Sequence, residues 1–131
     1  MKNNKQFAVI GLGRFGRAVV ETLVASGYDV MGCDKNMEAV KQMEHIATDV
    51  MQLDVMNEDA MQYIGLNNFD VVIVAIGESL EASIMATMYA KEKGVKTVIA
   101  KLLVLLRRNF LKKLVLIRYL CLKEIVVRDW L

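Results

Sequence analysis

Residues 7–34 read FAVIGLGRFGRAVVETLVASGYDVMGCD: a short apolar run, a glycine-rich turn, a helical pattern and a second apolar run. That order describes a β-α-β unit. Val19, Val20, Leu23 and Val24 recur at helical spacing. Gly27 follows where a residue in the left-handed conformation ends a helix without a Cβ penalty, so a second strand is expected over residues 29–33.

Within this unit Gly11, Gly13 and Gly16 form a GxGxxG turn. The pattern alone is weak, but here it leaves a strand and opens a helix, the context that gives it a mechanism. Gly11 permits the tight turn, Gly13 lets a pyrophosphate approach the backbone, and Gly16 permits close packing of helix on strand. The N–H groups of the helix start then face the anion. Asp34, 18 positions after Gly16, stands at the end of the second strand, where a carboxylate accepts the two ribose hydroxyls of an adenosine and repels a 2′-phosphate. NADP is thereby disfavoured. Arg14 inside the turn either offers a planar donor fork to phosphate or is a solvated residue of the first helical turn. Asp54 either reaches the adenine edge or belongs to a surface turn.

Outward from this unit the alternation continues. Residues 36–47 are helical in pattern, 48–54 form a strand, and 57–66 form a short helix with Asn57 as N-cap and Glu58 and Asp59 at its positive end. Residues 70–77, DVVIVAIG, form a nearly continuous apolar run of the kind covered on both faces. The longest helix, 78–94, and a fifth strand, 96–101, follow. The expected fold is α/β, a Rossmann-like doubly wound parallel sheet of strand order 3-2-1-4-5. Ala75, Ile76 and Gly77 then end strand four across the topological switch point from the glycine turn, and a ligand is expected to cross there.

Composition changes sharply near Lys101. The first 100 residues carry 9 Lys and Arg against 13 Asp and Glu, net −4; residues 101–131 carry 8 against 2, net +6. All 8 Gly and all 9 Met precede residue 101, and ten of the last 31 residues are Leu. The division is therefore into an organised part, 1–101, and an atypical basic, Leu-rich tail, 102–131. The tail interrupts its apolar runs with Arg107 and Arg108, short of the roughly 20 residues that span a bilayer. Cys33 and Cys121 lack CxxC spacing and no signal peptide precedes them, which points to a reduced cytosolic setting with buried or idle thiols. His45 is expected on a helix surface with no ligand spacing. Met43, Met85 and Met88 are read as core filler or subunit contacts.

The phrases FAVIGLGRFGRAV, DVMGCD, DVMNED and FDVVIVAIGESLEASI together resemble the N-terminal nucleotide-binding domain of RCK/KTN proteins, the regulatory subunits of bacterial Ktr/Trk potassium transporters, over about residues 5–101. The resemblance implies a homo-oligomeric cytosolic ring, peripheral to the membrane through an integral-membrane potassium-translocating subunit. In such a ring NAD(H) or ATP/ADP changes geometry and gates flux without turnover. It also implies a set of contacts: Gly11, Leu12, Gly13, Arg14, Phe15 and Gly16 for phosphates, with Arg14 able to meet a terminal phosphate. Asp34 with its neighbour Lys35 serves the ribose, Asp54 and Val55 lie near adenine, Ala75, Ile76 and Gly77 run along the ligand, and Lys101 lies near phosphate.

The resemblance fades past the fifth strand, where the family continues with a segment of the form KIGADKV…PERD…G…LA. Lys113 to Tyr119 can be encoded AAA TTG GTG CTG ATA AGG TAT; with each codon begun one base earlier, these bases give Ile-Gly-Ala-Asp-Lys-Val. The same shift through the remainder permits Pro-Glu-Arg-Asp and later Gly-Glu-Arg-Leu-Ala. The tail is accordingly read as the family's C-terminal segment translated out of frame, with poor burial of apolar surface. The rival is a genuine final helix and strand.

Two other functional classes compete. An NAD-dependent oxidoreductase would use the same turn and Asp34, but needs a substrate pocket and an acid or base that the pattern does not supply. A basic arm for nucleic acid or an anionic membrane fits poorly, because apolar residues surround the tail's would-be helix on every side; no nucleic-acid partner is expected.

Overall fold

The computed structural model describes residues 5–105, 112–120 and 124–130; past Lys101 it describes strand backbone alone. In chain order the elements are β1 (Gln6–Ile10), α1 (Arg14–Ala25), β2 (Asp29–Asp34), α2 (Met37–Met43), β3 (Asp49–Gln52), α3 (Glu58–Ile64), a 3₁₀ turn (Leu66–Asn68), β4 (Val71–Val74), α4 (Leu80–Glu92), β5 (Thr97–Leu105), β6 (Lys112–Leu120) and β7 (Glu124–Trp130).

The local chemistry explains these boundaries. Gly27 (φ +90°) and Gly65 (φ +66°) take the left-handed conformation where α1 and α3 stop. Asn36, Asn57 and Ser79 cap α2, α3 and α4, their side-chain oxygens accepting from Glu38 N, Ala60 N and Ala82 N, each such cap contributing about 1 kcal/mol. All four residues of β4 are buried, as its unbroken apolar run requires.

The sheet order is β3-β2-β1-β4-β5-β6-β7. β1 to β5 pair in parallel, in the order 3-2-1-4-5. Alternate side chains of the central strands feed two cores. Ala8, Ile10, Val72 and Val74 pack with Met61, Ala86 and Tyr89 on one face. Val9, Val71 and Ile73 pack with Val20 and Met43 on the other. Both layers of helices are thus held by one period-2 pattern.

Two expectations are corrected. The tail's rival reading of a final helix and strand gives way to two strands, with β6 antiparallel to β5 and β7 antiparallel to β6. β7 carries Ile125, Val126 and Val127 among its seven residues, and β-branched side chains suit a pleated surface better than a helix. His45 is exposed, as expected, but it stands in the turn after α2, which ends at Met43. Arg107, Arg108 and Cys121 lie outside the described residues, as does side-chain burial beyond Lys101.

Candidate functional site

The site lies at the carboxyl ends of the parallel strands, where β1 and β4 part to opposite helices. Gly11 leaves β1 with φ +104°, and its N–H donates to the Cys33 carbonyl (2.7 Å). A Cβ there would lie 2.7 Å from the Ala75 backbone carbon, so both the conformation and the space demand glycine. At Gly16 a Cβ would collide with the Gly11 carbonyl oxygen, which is what brings α1 down onto the turn.

Gly13 differs from both. Its φ of −75° suits any residue, and a Cβ would find nothing within 4 Å. Space, and neither strain nor packing, is what glycine provides at this position. No side chain caps α1, and no acid stands in its first turn. The positive end of α1 is therefore left without a side-chain cap or a first-turn acid, just past the Gly13 edge of the crevice.

Asp34 ties the two β-α connections together. Its Oδ2 accepts from Leu12 N (2.7 Å) and its Oδ1 from Asn36 N (2.8 Å). The carboxylate is thereby fixed beside the turn, and each oxygen keeps a lone pair for a ligand hydroxyl. Beneath it, Leu12 packs on Gly32, where a Cβ would sit 3.1 Å from a Leu12 methyl. Cys33 is fully buried there. Burial first, then the charges of Asp49 and Asp34, push its thiol up from 9.0 to about 12, so it is inert as a nucleophile at neutral pH.

A crevice of about 390 Å³ opens over these groups. It brings together Gly11, Leu12, Gly13, Asp34, Lys35, Asp54, Val55, Ala75, Ile76 and Gly77 from the sequence-derived set. Four members of that set stand outside its lining. Arg14 is exposed as the first residue of α1. Gly16 lies below the turn. Phe15 meets Lys101, whose Nζ sits 4.5 Å from the ring centroid. Asp54 belongs to a local turn, where its Oδ1 accepts from Met56 N (3.0 Å), and the residue also lines the crevice.

Sequence reasoning missed the apolar wall of Ala39, Leu53 and Met56, and the polar pair Glu78 and Ser79. Ser79 had a signal, since a serine just before a helical run is an N-cap pattern. Met56 had none, because a methionine in a turn has no periodicity to report it. Among the described residues no group of His, Cys, Asp and Glu is arranged to hold a metal ion, and no helix is long and apolar enough to cross a membrane.

Residues 7–116 match the family model of the TrkA-N domain. Among curated proteins, the Ktr system potassium uptake protein C of Bacillus subtilis is 44% identical over 97 residues, covering 74% of this chain. The Ktr system potassium uptake protein A of Vibrio alginolyticus is 43% identical over 98 residues, 75% of this chain. The chain spans 44% of the length of each of these relatives. Among solved structures, the TrkA-N domain of the Escherichia coli inner membrane protein ybaL aligns with a TM-score of 0.63 at 20% identity, over 76% of this chain and 74% of that one. At that identity the likeness speaks to the fold alone.

Proposed function

This chain belongs to the TrkA-N domain family, and we propose that it is the nucleotide-sensing part of a regulatory subunit in a bacterial potassium uptake system. The observation that carries the reading is the meeting, in one crevice, of the open Gly13 backbone, the Asp34 carboxylate and the Ala75–Gly77 wall, on a chain this similar to two Ktr proteins. The ligand is an adenine nucleotide, NAD(H) or ATP/ADP: phosphate at the uncapped start of α1, ribose at Asp34, adenine toward Val55 and Met56. Arg14 and Lys101, both outside the crevice lining, move to the phosphates when a ligand is present.

Binding, not turnover, is the function. Copies of the chain assemble with one another, and the assembly sits on a membrane subunit that translocates potassium. Nucleotide-dependent change in that assembly alters flux. The stripe of Leu80, Ile84 and Met88 on α4, each about half exposed, supports contact between copies. Residues 102–131 we read as a segment translated out of frame. Sequencing the gene tests this: a one-base lesion between the codons for Ala100 and Lys113 establishes it, and codons incompatible with the shift end it.

The decisive measurement for binding is thermal unfolding with NADH, ADP, ATP and NADPH. The first three supply about 2.7 kcal/mol of stabilisation at a hundredfold excess over Kd, and NADPH much less. Melting independent of all four, or steady NADH oxidation with a simple substrate, overturns the reading. In cells, loss of the gene lowers potassium uptake at limiting external potassium; normal uptake in a strain without paralogues removes the transport role.

A further inference from the structure

The Ala75–Ser79 wall of the crevice is tied to α4 through one buried hydroxyl. Ser83 is 1% exposed, and its Oγ lies 3.1 Å from two carbonyl oxygens, that of Ile76 in the crevice wall and that of Ser79 at the head of α4. A serine hydroxyl has a single proton to donate, so it serves one of the two well at a time. The acceptors are unequal. The Ser79 carbonyl also receives the Ser83 backbone N–H at 3.1 Å, whereas the Ile76 carbonyl receives the hydroxyl.

We infer that Ser83 is a positioning residue that holds the Ile76 carbonyl in the crevice wall and, by turning its O–H to the Ser79 carbonyl when a ligand takes over that of Ile76, carries occupancy of the crevice into α4. The exchange leaves no buried donor unpaired, which keeps its cost low. Below Ser83 the same ladder continues, with Thr87 Oγ1 donating to the Ser83 carbonyl at 2.7 Å. Ser79, Ala82 and Ile76 line the crevice, and the opposite face of α4 carries exposed Leu80, Ile84 and Met88. A shift at the head of this helix is therefore felt on its outer surface. This inference rests on the crevice binding a nucleotide.

Hydrogen exchange read by mass spectrometry tests it, with NADH and ADP as probes on the full chain. In the wild type, ligand slows exchange both in the glycine turn, 11–16, and through the first two turns of α4, 80–88. In Ser83→Ala the turn is still protected, with Kd within about threefold of wild type, but the α4 response is lost; Ser83→Thr, which keeps the hydroxyl, restores it. Should Ser83→Ala fail to fold, Ser83→Cys keeps the volume with a weaker donor and should reduce the α4 response. Protection of 11–16 without any response at 80–88 in the wild type overturns the coupling and leaves nucleotide binding standing. An α4 response unchanged in Ser83→Ala overturns the role of the hydroxyl. No protection at 11–16 overturns the nucleotide reading and this inference with it.

Discussion

The two walls of the crevice are built on different principles. The Gly11–Gly16 wall is set by exclusion: Gly11 and Gly16 stand where a single added carbon would strike backbone. The Ala75–Ser79 wall shares that packing where Ala75 and Ile76 meet Gly11; past them it is held by hydrogen bonds, from the Ser79 cap and the Ser83 hydroxyl, and a Cβ on Gly77 would meet nothing within 4 Å. A wall fixed by packing resists displacement, because interiors have no slack to yield. A wall fixed by exchangeable hydrogen bonds can move. Under the proposed function the first wall holds the phosphates of the ligand and the second responds to them.

The contrast breaks most severely at Gly16. Gly16→Ala drives a methyl into the Gly11 carbonyl and should cost about 3 kcal/mol or prevent folding, read as a fall in the urea midpoint; an unchanged midpoint means that the turn is not limited by packing. Asp34→Asn should fold, but its amide keeps one acceptor oxygen and turns an NH2 against the other donor, so one of the bonds from Leu12 N and Asn36 N is lost and the midpoint should fall by about 1–3 kcal/mol. Its affinity for adenine nucleotides should fall by about 1.5–3 kcal/mol in calorimetry. Equal affinity in a folded variant separates Asp34 from the ribose.

Gly13→Ala sharpens the contrast from the other side. With nothing near its Cβ, the midpoint should move by less than about 1 kcal/mol. Nucleotide affinity should nonetheless drop about tenfold, or roughly 1.4 kcal/mol, because the methyl fills the approach to the backbone. The smallest effect is at Cys33, between the walls. Its thiol stays protonated in the fold up to about pH 12 but ionises near 9 when unfolded, so the unfolded state binds fewer protons and stability declines as pH rises from 9 toward 12. The loss should be about 1 kcal/mol by pH 10 and disappear in Cys33→Ala; below pH 9 the profiles should run parallel.

Much of this was legible in the residues. The glycine spacing, the apolar run of Val71–Val74 and Asp34 at the end of β2 each follow from a local pattern with one solution. The parallel order 3-2-1-4-5 follows from right-handed crossovers between short connections. What stayed hidden depends on distant partners. Nothing near Ser83 in sequence says that its hydroxyl reaches Ile76, and nothing near Lys101 says that its ammonium rests on Phe15. The tail was read as an out-of-frame segment, with a final helix and strand as its rival, because its apolar residues lack a period; the pairing of β6 along the edge of β5 depends on that distant strand.

The openness around Gly13 bears on how such a chain would age. Gly11 and Gly16 are constrained by folding whether or not a ligand ever arrives, while the fold places no such demand on Gly13. Under the proposed function, a gene copy released from nucleotide sensing but still required to fold would drift at residue 13 before residues 11 and 16.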